Sequence, residues 1–366
     1  MTSPTGSCPA ARGRRDRLPG GVLPILLAGG RGSRLHELTD RLCKPAVPFI
    51  GRTRIVDFTV SNLHASGFGE VLVATQYRAA PLERHLRAAW SDRLALKLRH
   101  APTLTGRPEG SRGTADALRV LRHEIDAIAP RAVLVLAADH IYRMRYGPMI
   151  AAHMETGATL TVAADMVPRR MASAFGVLAA DPGGRVSRFV EKPDHPPASA
   201  HDPDRSLASM GLYVIDWTWL RDYLDTNPAA MDFGHDVLPD AVAEGRSYVH
   251  VPAQSGPFYW RDVGTLDALR AAALDFLGPE PPFPLPRPHT PVLPRNGILD
   301  SLVMDGAVVS RGALLAGCVV APGAIVTFGR AIGVDAARDR ANFRRTAAGT
   351  TLVTAEMLAA ADPARG

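Results

Sequence analysis

Short, almost wholly apolar runs that alternate with stretches of helical length constrain this chain more than any other feature. Leu23–Ala28, Glu70–Thr75, Ala132–Ala137, Thr159–Ala164 and Gly211–Ile215 read as buried strands. Between the early ones lie Arg54–Ser66 and Thr114–Ile128, long enough for helices. Strands without polar alternation belong where helices cover both faces of a sheet, so the pattern predicts an α/β domain with a mainly parallel sheet. In such sheets ligands collect at the carboxyl ends of the strands, and the chemistry is to be sought there.

The 366 residues exceed one ordinary domain and suit a large one followed by a small one. Eight prolines between Pro279 and Pro294 preclude a regular helix or a central strand. Beyond them Val308, Leu314, Val319 and Ile325 recur at spacings of six, five and six, with Gly306, Gly312, Gly317, Gly323 and Gly329 in step. A hexad of this kind predicts a short left-handed parallel β-helix, although a few ordinary strands with turn glycines would give the same spacing. Thr350–Ala361 reads as a strand and a short helix. The expected division is a basic, disordered leader over 1–20, a catalytic α/β domain over 21–277, a linker over 278–296, and a β-helix with its tail over 297–366.

Part of the net charge of +6 comes from Arg12, Arg14, Arg15 and Arg17 in that leader. No basic face with interleaved aromatic residues follows, which argues against a nucleic-acid partner. Cys8, Cys43 and Cys318 are too scattered for a disulfide framework or a zinc site, and reduced thiols suit a cytoplasmic protein. No apolar stretch approaches the length of a membrane span, and Leu23–Ala28 is too short for a signal sequence.

The first strand ends in Ala28-Gly29-Gly30-Arg31-Gly32-Ser33-Arg34-Leu35, and Lys44-Pro45 follows. Glycines here let backbone N–H groups approach phosphate oxygens, while Arg31, Arg34 and Lys44 add cations. The pattern is neither a Walker loop nor G-x-G-x-x-G. Glycine, arginine and lysine together favour a nucleotide-phosphate site over a structural turn. Asp139 comes just after the run Ala132–Ala137, and Asp262 after Tyr259-Trp260-Arg261. Two carboxylates suit Mg²⁺, which takes few protein ligands beside phosphates and water. An aspartate at position 139 could equally cap a following helix.

Gly29-Gly30-Arg31-Gly32-Ser33-Arg34-Leu35 with Lys44-Pro45-Ala46-Val47 resembles the nucleotide signature of the sugar nucleotidylyltransferases. Arg54-Ile55-Val56-Asp57-Phe58, Ser209-Met210-Gly211-Leu212-Tyr213 and Trp260-Arg261-Asp262 resemble its ADP-glucose branch. Further blocks follow in family order, among them Arg112-Gly113-Thr114-Ala115-Asp116-Ala117, Asp139-His140-Ile141-Tyr142, Phe189-Val190-Glu191-Lys192-Pro193 and Asp232-Phe233-Gly234. The resemblance covers about residues 22 to 275 and returns in the tail. It implies a Rossmann-like nucleotidyltransferase domain with a C-terminal left-handed β-helix, and ATP and glucose 1-phosphate as substrates. It further implies catalysis by Arg34, Lys44 and Asp139, and a nucleotide site of Leu27, Ala28, Gly29, Gly30, Gly32, Gln76, Gly113, Thr114 and Asp139. The sugar phosphate falls to Gly176, Glu191, Lys192, Ser209, Gly211 and Asp262, and Mg²⁺ to Asp139 and Asp262.

The chain departs from the family pattern in four places. Glu109-Gly110-Ser111 stand where an aromatic residue usually precedes Arg112, which touches base preference and leaves TTP or UTP as rival nucleotides. His235 replaces a lysine after Gly234, and Cys43 replaces a small residue before Lys44. The β-helix is short, which weakens the expectation of the family's tetramer and of its effector control. A non-catalytic paralogue is disfavoured, because Arg34, Lys44, Asp139, Lys192 and Asp262 are all present.

Overall fold

The computed structural model describes residues 19–200, 202–253, 258–287 and 297–361. The expected leader, apart from Pro19 and Gly20, lies outside them, as do Cys8 and residues 288–296 of the expected linker.

Strand β1 (Val22–Ala28) is flanked in parallel by β2 (Glu70–Thr75) and β4 (Ala132–Ala137), and β3 (Ala95–His100) adds to β2. Beyond β4 the sheet turns mixed. There β9 (Arg205–Asp216) runs antiparallel to β4 and to β6 (Leu160–Pro168), and β10 (Ser247–His250) closes that edge. The strand order is β10-β6-β9-β4-β1-β2-β3. A hairpin of β7 (Gly176–Ala180) and β8 (Val186–Glu191) joins through β9. The apolar run Gly211–Ile215 marks only the second half of β9, because the buried but polar Ser206 and Ser209 interrupt the pattern.

Helices cover both faces. The helix Thr114–Ile128 buries Ala115, Leu118, Leu121, Ile125 and Ile128, a stripe at three- and four-residue spacing. Each large aliphatic side chain removed from water there contributes about 1.5–3 kcal/mol. On the opposite face Ile55–Ala65 packs Val56, Val60 and Leu63 against Leu26, Val71 and Leu134.

Two further strands lie off the main sheet. β5 (His140–Tyr142) and β11 (Trp260–Asp262) pair antiparallel, with Asp262 opposite His140.

The C-terminal part is a parallel coil. Ile298 pairs with Leu315, Leu302 with Val319, Val308 with Ile325 and Leu314 with Ala331, so each turn stacks 17 residues along the chain. A helix Ala336–Asn342 then interrupts the winding, and Thr351–Val353 returns to pair with Cys318–Val320. The hexad expectation holds for the architecture. Val308, Leu314 and Ile325 point outward, at 54%, 36% and 59% exposure. Val319 is fully buried against the α/β domain, and the coil's own core takes Leu315, Val320, Val326 and Ile332, all fully buried. β-branched residues suit either face of a strand, so spacing alone does not tell inside from outside.

The coil is fused to the α/β domain. Leu302, Met304, Val319 and Leu352 share one core with Leu35, Leu38, Val47, Phe49, Leu266 and Phe276. Phe283, from the proline-rich segment, is buried in the same core with its ring centroid 5.0 Å from that of Phe276. Phe283 thus anchors the described part of that segment, whose flanking Pro282 and Pro284 are exposed.

Candidate active site

The ends of β1 and β4 are adjacent, with Leu27 opposite Ala137, and a cleft of about 500 Å³ opens beside them. Leu27, Gly29, Gly30, Gln76, Gly113, Thr114, Asp139, Glu191 and Gly211 line it. Ala28 turns its methyl into the core, as alternation along β1 requires.

Lys44 is the centre of the charge arrangement. Its ammonium donates to Asp139 Oδ2 at 3.0 Å and to Asp262 Oδ1 at 2.8 Å, with the side chain only 5% exposed. Asp139 follows β4 and Asp262 ends β11, and the β5–β11 ribbon brings the two together across the chain. The element after Asp139 is a strand, which rules out a helix-capping role there. Burial pushes the Asp139 carboxyl up, but the Lys44 ammonium and the neighbouring His140 outweigh it and hold the group at about 2. Asp262 is likewise held low against burial by Lys44, and Lys44 is raised by the two carboxylates against its own burial.

Gly32 explains how Lys44 reaches this place. Its φ of +71° is left-handed, and a Cβ there would stand 2.6 Å from Lys44 Cβ. Lys44 N donates to Gly30 O at 3.2 Å, closing the loop on itself. Arg34 Nη2 lies 3.7 Å from Asp262 Oδ2, at the same cluster. Arg31 instead rests over the Tyr77 ring at 5.3 Å. Cys43 is fully buried, and burial raises its thiol to about 11, so it is a poor target for oxidation.

Another part of the lining is built around Glu191. A Cβ on Gly176 would come within 2.8 Å of Glu191 Oε2, and one on Gly234 within 2.7 Å. Two glycines thus make room for one carboxylate. Lys192 has φ +46° and donates to Glu191 Oε1 at 2.6 Å, its side chain 61% exposed. A non-glycine residue in this conformation is a frequent mark of a functional site. Gly211 sits in a bulge of β9, where the pairing with β6 shifts, with φ +69° and its N–H on Ser209 Oγ at 3.3 Å.

Gln76 differs from its expected part. Its Oε1 accepts from Ser111 N at 3.2 Å and Ser111 Oγ at 2.7 Å, and its Nε2 donates to Ser111 O at 3.1 Å and to Glu109 O. Every hydrogen-bonding group of the amide is taken. In this conformation Gln76 has none to offer a base. Gly113 and Thr114 are held by the segment after Met231. A Cβ on Gly113 would lie 2.2 Å from Met231 O, and Thr114 Oγ1 donates to Asp232 Oδ2 at 2.9 Å.

Sequence reasoning left out His140 and Gly234. His140 Nδ1 is 3.0 Å from Met210 O, and Nε2 is 3.7 Å from Asp139 and 3.9 Å from Asp262. Adjacency to Asp139 was the available signal. For Gly234 the signal was its place in Asp232-Phe233-Gly234.

A family model described as nucleotidyl transferase matches residues 23–277, and one described as GlmU-like, C-terminal hexapeptide, matches 288–353. The chain belongs to the nucleotidyl transferase family. It is similar to the glucose-1-phosphate adenylyltransferase of Jannaschia sp. (strain CCS1), 38% identical over 408 residues, with 93% of this chain and 97% of the relative covered. The enzymes of that name from Paramagnetospirillum magneticum (strain ATCC 700264 / AMB-1) and Dechloromonas aromatica (strain RCB) are 38% and 36% identical, over 92% and 91% of this chain and 94% and 91% of theirs. The 408-residue alignment is longer than the 366-residue chain, so that relative carries segments missing here.

Proposed function

We propose that this protein is a glucose-1-phosphate adenylyltransferase, which forms ADP-glucose and pyrophosphate from ATP and glucose 1-phosphate. The observation that carries this reading is the Lys44 ammonium between Asp139 and Asp262, with Asp139 in turn lining a cleft together with Gly29, Gly30 and Glu191. A phosphate oxygen of glucose 1-phosphate attacks the α-phosphorus of ATP. A new P–O bond forms as the α–β bridging P–O bond breaks, and pyrophosphate takes the electron pair. The attacking oxygen is already anionic near neutral pH, so no general base is needed.

Catalysis rests on position and charge. Gly29, Gly30 and Gly32 let the backbone approach the nucleotide phosphates, and Arg34 and Lys44 bring positive charge to them. Glu191 takes sugar hydroxyls and Lys192 the sugar phosphate, with Gly176, Ser209 and Gly211 shaping that wall. Leu27, Gly113 and Thr114 bound the base and ribose, and contact with Gln76 requires release of the Glu109–Ser111 segment. Asp139 and Asp262 fit a divalent cation, because their oxygens already converge on one cationic atom, Lys44 Nζ. Among the described residues no cluster of three or more His, Cys, Asp or Glu could cage a metal, and two carboxylates completed by phosphate oxygens and water suit Mg²⁺. When bound, that ion supplies charge neutralisation to the phosphates. Buried, unpaired Cys43 and Cys318 support a cytoplasmic setting.

The test is pyrophosphate release by purified protein with Mg²⁺, glucose 1-phosphate and each nucleoside triphosphate in turn. Release with ATP supports the proposal. Release only with TTP or UTP moves the protein to another branch of the family, and none with any nucleotide makes it a non-catalytic paralogue.

A further inference from the structure

The nucleotide loop is held from outside its own domain. The segment Ser33–Thr39 leaves the glycine turn as a short 3₁₀ stretch that alternates its attachments. Arg34 faces Asp262 at the reaction centre, and Leu35 and Leu38 are buried in the core shared with the β-helix. Glu37 meets Arg344, 307 residues further along. Arg344 Nε lies 2.8 Å from Glu37 Oε1 and 2.7 Å from Oε2, and Nη2 also reaches Oε1. This guanidinium is not on a loose tail. Arg344–Arg345 is a strand paired with Thr351–Val353, which in turn pairs with Cys318–Val320 of the coil. A second, more exposed contact joins Arg41 to Glu356 at 3.4 Å.

Between the two grips on Leu35 and Glu37 stands His36, with φ +53° and ψ −130°. An L side chain rarely adopts this conformation, and it persists only where the surroundings over-determine it. The strained residue is two positions from Arg34 and one from Glu37. Within the stretch Thr39 Oγ1 donates to Gly32 O and to His36 O, each at 3.0 Å, so a change at residue 36 is passed to the loop that carries Arg34.

We propose that Arg344 is a positioning residue for nucleotidyl transfer: from the β-helix side it fixes Glu37, keeps His36 in its strained conformation, and so aims Arg34 at the reacting phosphates. The proposal rests on the adenylyltransferase reading for its kinetic arm, and it gives the C-terminal domain a direct part in the active site.

Arg344→Gln is the first test, with Glu37→Gln as the partner variant that leaves the β-helix strand untouched. Both are expected to lower kcat/KM for ATP roughly tenfold, the scale of a displacement well short of 1 Å. KM for glucose 1-phosphate, bound on the Glu191 and Lys192 wall, stays within twofold. Amide exchange of the peptide covering 33–39 speeds up in both. His36→Gly added to Arg344→Gln restores most of the lost rate, because glycine holds a positive φ without the clamp. A merely structural role for the ion pair would show as lower thermal stability, with unchanged ATP kinetics and no rescue by glycine, and that result overturns the proposal. Unchanged exchange over 33–39 in Arg344→Gln overturns it as well. If the wild type releases no pyrophosphate with any nucleotide, the proposed function fails, and the exchange measurement still decides the clamp.

Discussion

Replacement of Lys44 by methionine removes one charge and keeps most of the stem. At an effective dielectric of about 20, an ammonium some 3 Å from a carboxylate gains about 5–6 kcal/mol before desolvation is counted. Lys44 makes two such contacts, at 2.8 Å and 3.0 Å. Much of that gain offsets the cost of burying the lysine, so the variant is expected to lose about 3–5 kcal/mol of stability, the scale for breaking a buried pair. Differential scanning fluorimetry at pH 7 should show Tm lower by about 5–10 °C. The two facing carboxylates then keep only the exposed Arg34 guanidinium, 3.7 Å from Asp262, and a divalent cation can take the vacated position. Millimolar Mg²⁺ or Mn²⁺ is expected to raise the Tm of the variant by several degrees more than that of the wild type. Turnover should fall by about 10²–10³ or more, since a preorganised cation is lost. The acid limb changes too. In the wild type the low Asp139 pKa, about 2 against an ordinary 3.8, gives stability that is present above pH 3.8 and lost as pH falls toward 2. With the carboxylate one-third exposed, solvent screening limits this to about 1 kcal/mol. The variant should lack that loss. A Tm within 1 °C of wild type, together with equal metal-induced shifts in both proteins, would refute the assignment of Lys44 as the counter-ion of this pair.

Other substitutions probe separate parts of the site. Asp139→Asn is expected to abolish pyrophosphate release while the circular dichroism spectrum stays native, and near-normal activity would remove Asp139 from the mechanism. Gly113→Ala pushes a methyl to within 2.2 Å of Met231 O, so the helix Thr114–Ile128 must shift and nucleotide affinity should drop at least tenfold in equilibrium dialysis. Ser111→Ala takes one donor from Gln76 Oε1, at 2.7 Å, and should change the ATP-to-UTP preference more than it changes KM for the sugar phosphate. His153, buried and 2.9 Å from Thr161 Oγ1, is pushed by burial down to about 4 from an ordinary 6.5. The unfolded chain takes up that proton first, so stability is intact above pH 6.5 and falls by about 3 kcal/mol on the way to pH 4. His153→Gln should flatten a urea-melt profile over that range, and an equally steep profile would reassign the acid sensitivity.

How far the site could be read from sequence depends on whether a signal was local. The glycine turn after β1, the run before Asp139 and the helix Thr114–Ile128 are all local: a strand end, an apolar window, a stripe of period 3.6. The fold follows from the same kind of signal, except where a buried polar residue such as Ser206 or Ser209 interrupts it. What could not be read is the outcome of a choice between partners. Gln76 has the chemistry to hold a base, yet its amide is consumed by Ser111 and Glu109, and no spacing rule distinguishes the two uses. Glu37 has the composition of a solvated surface residue, yet it closes a contact with Arg344 across 307 positions. The β-helix hexad gave the winding and left the facing open, since Val308 and Val309 are equally good strand formers and only the core chooses between them. That choice has a consequence for the site. The inward ladder fixes how the coil stacks, the coil carries Val319 and Leu352 into the core beneath Leu35, and Leu35 is next to Arg34. The loop that carries Arg34 therefore shares its core with a domain that has none of its motifs.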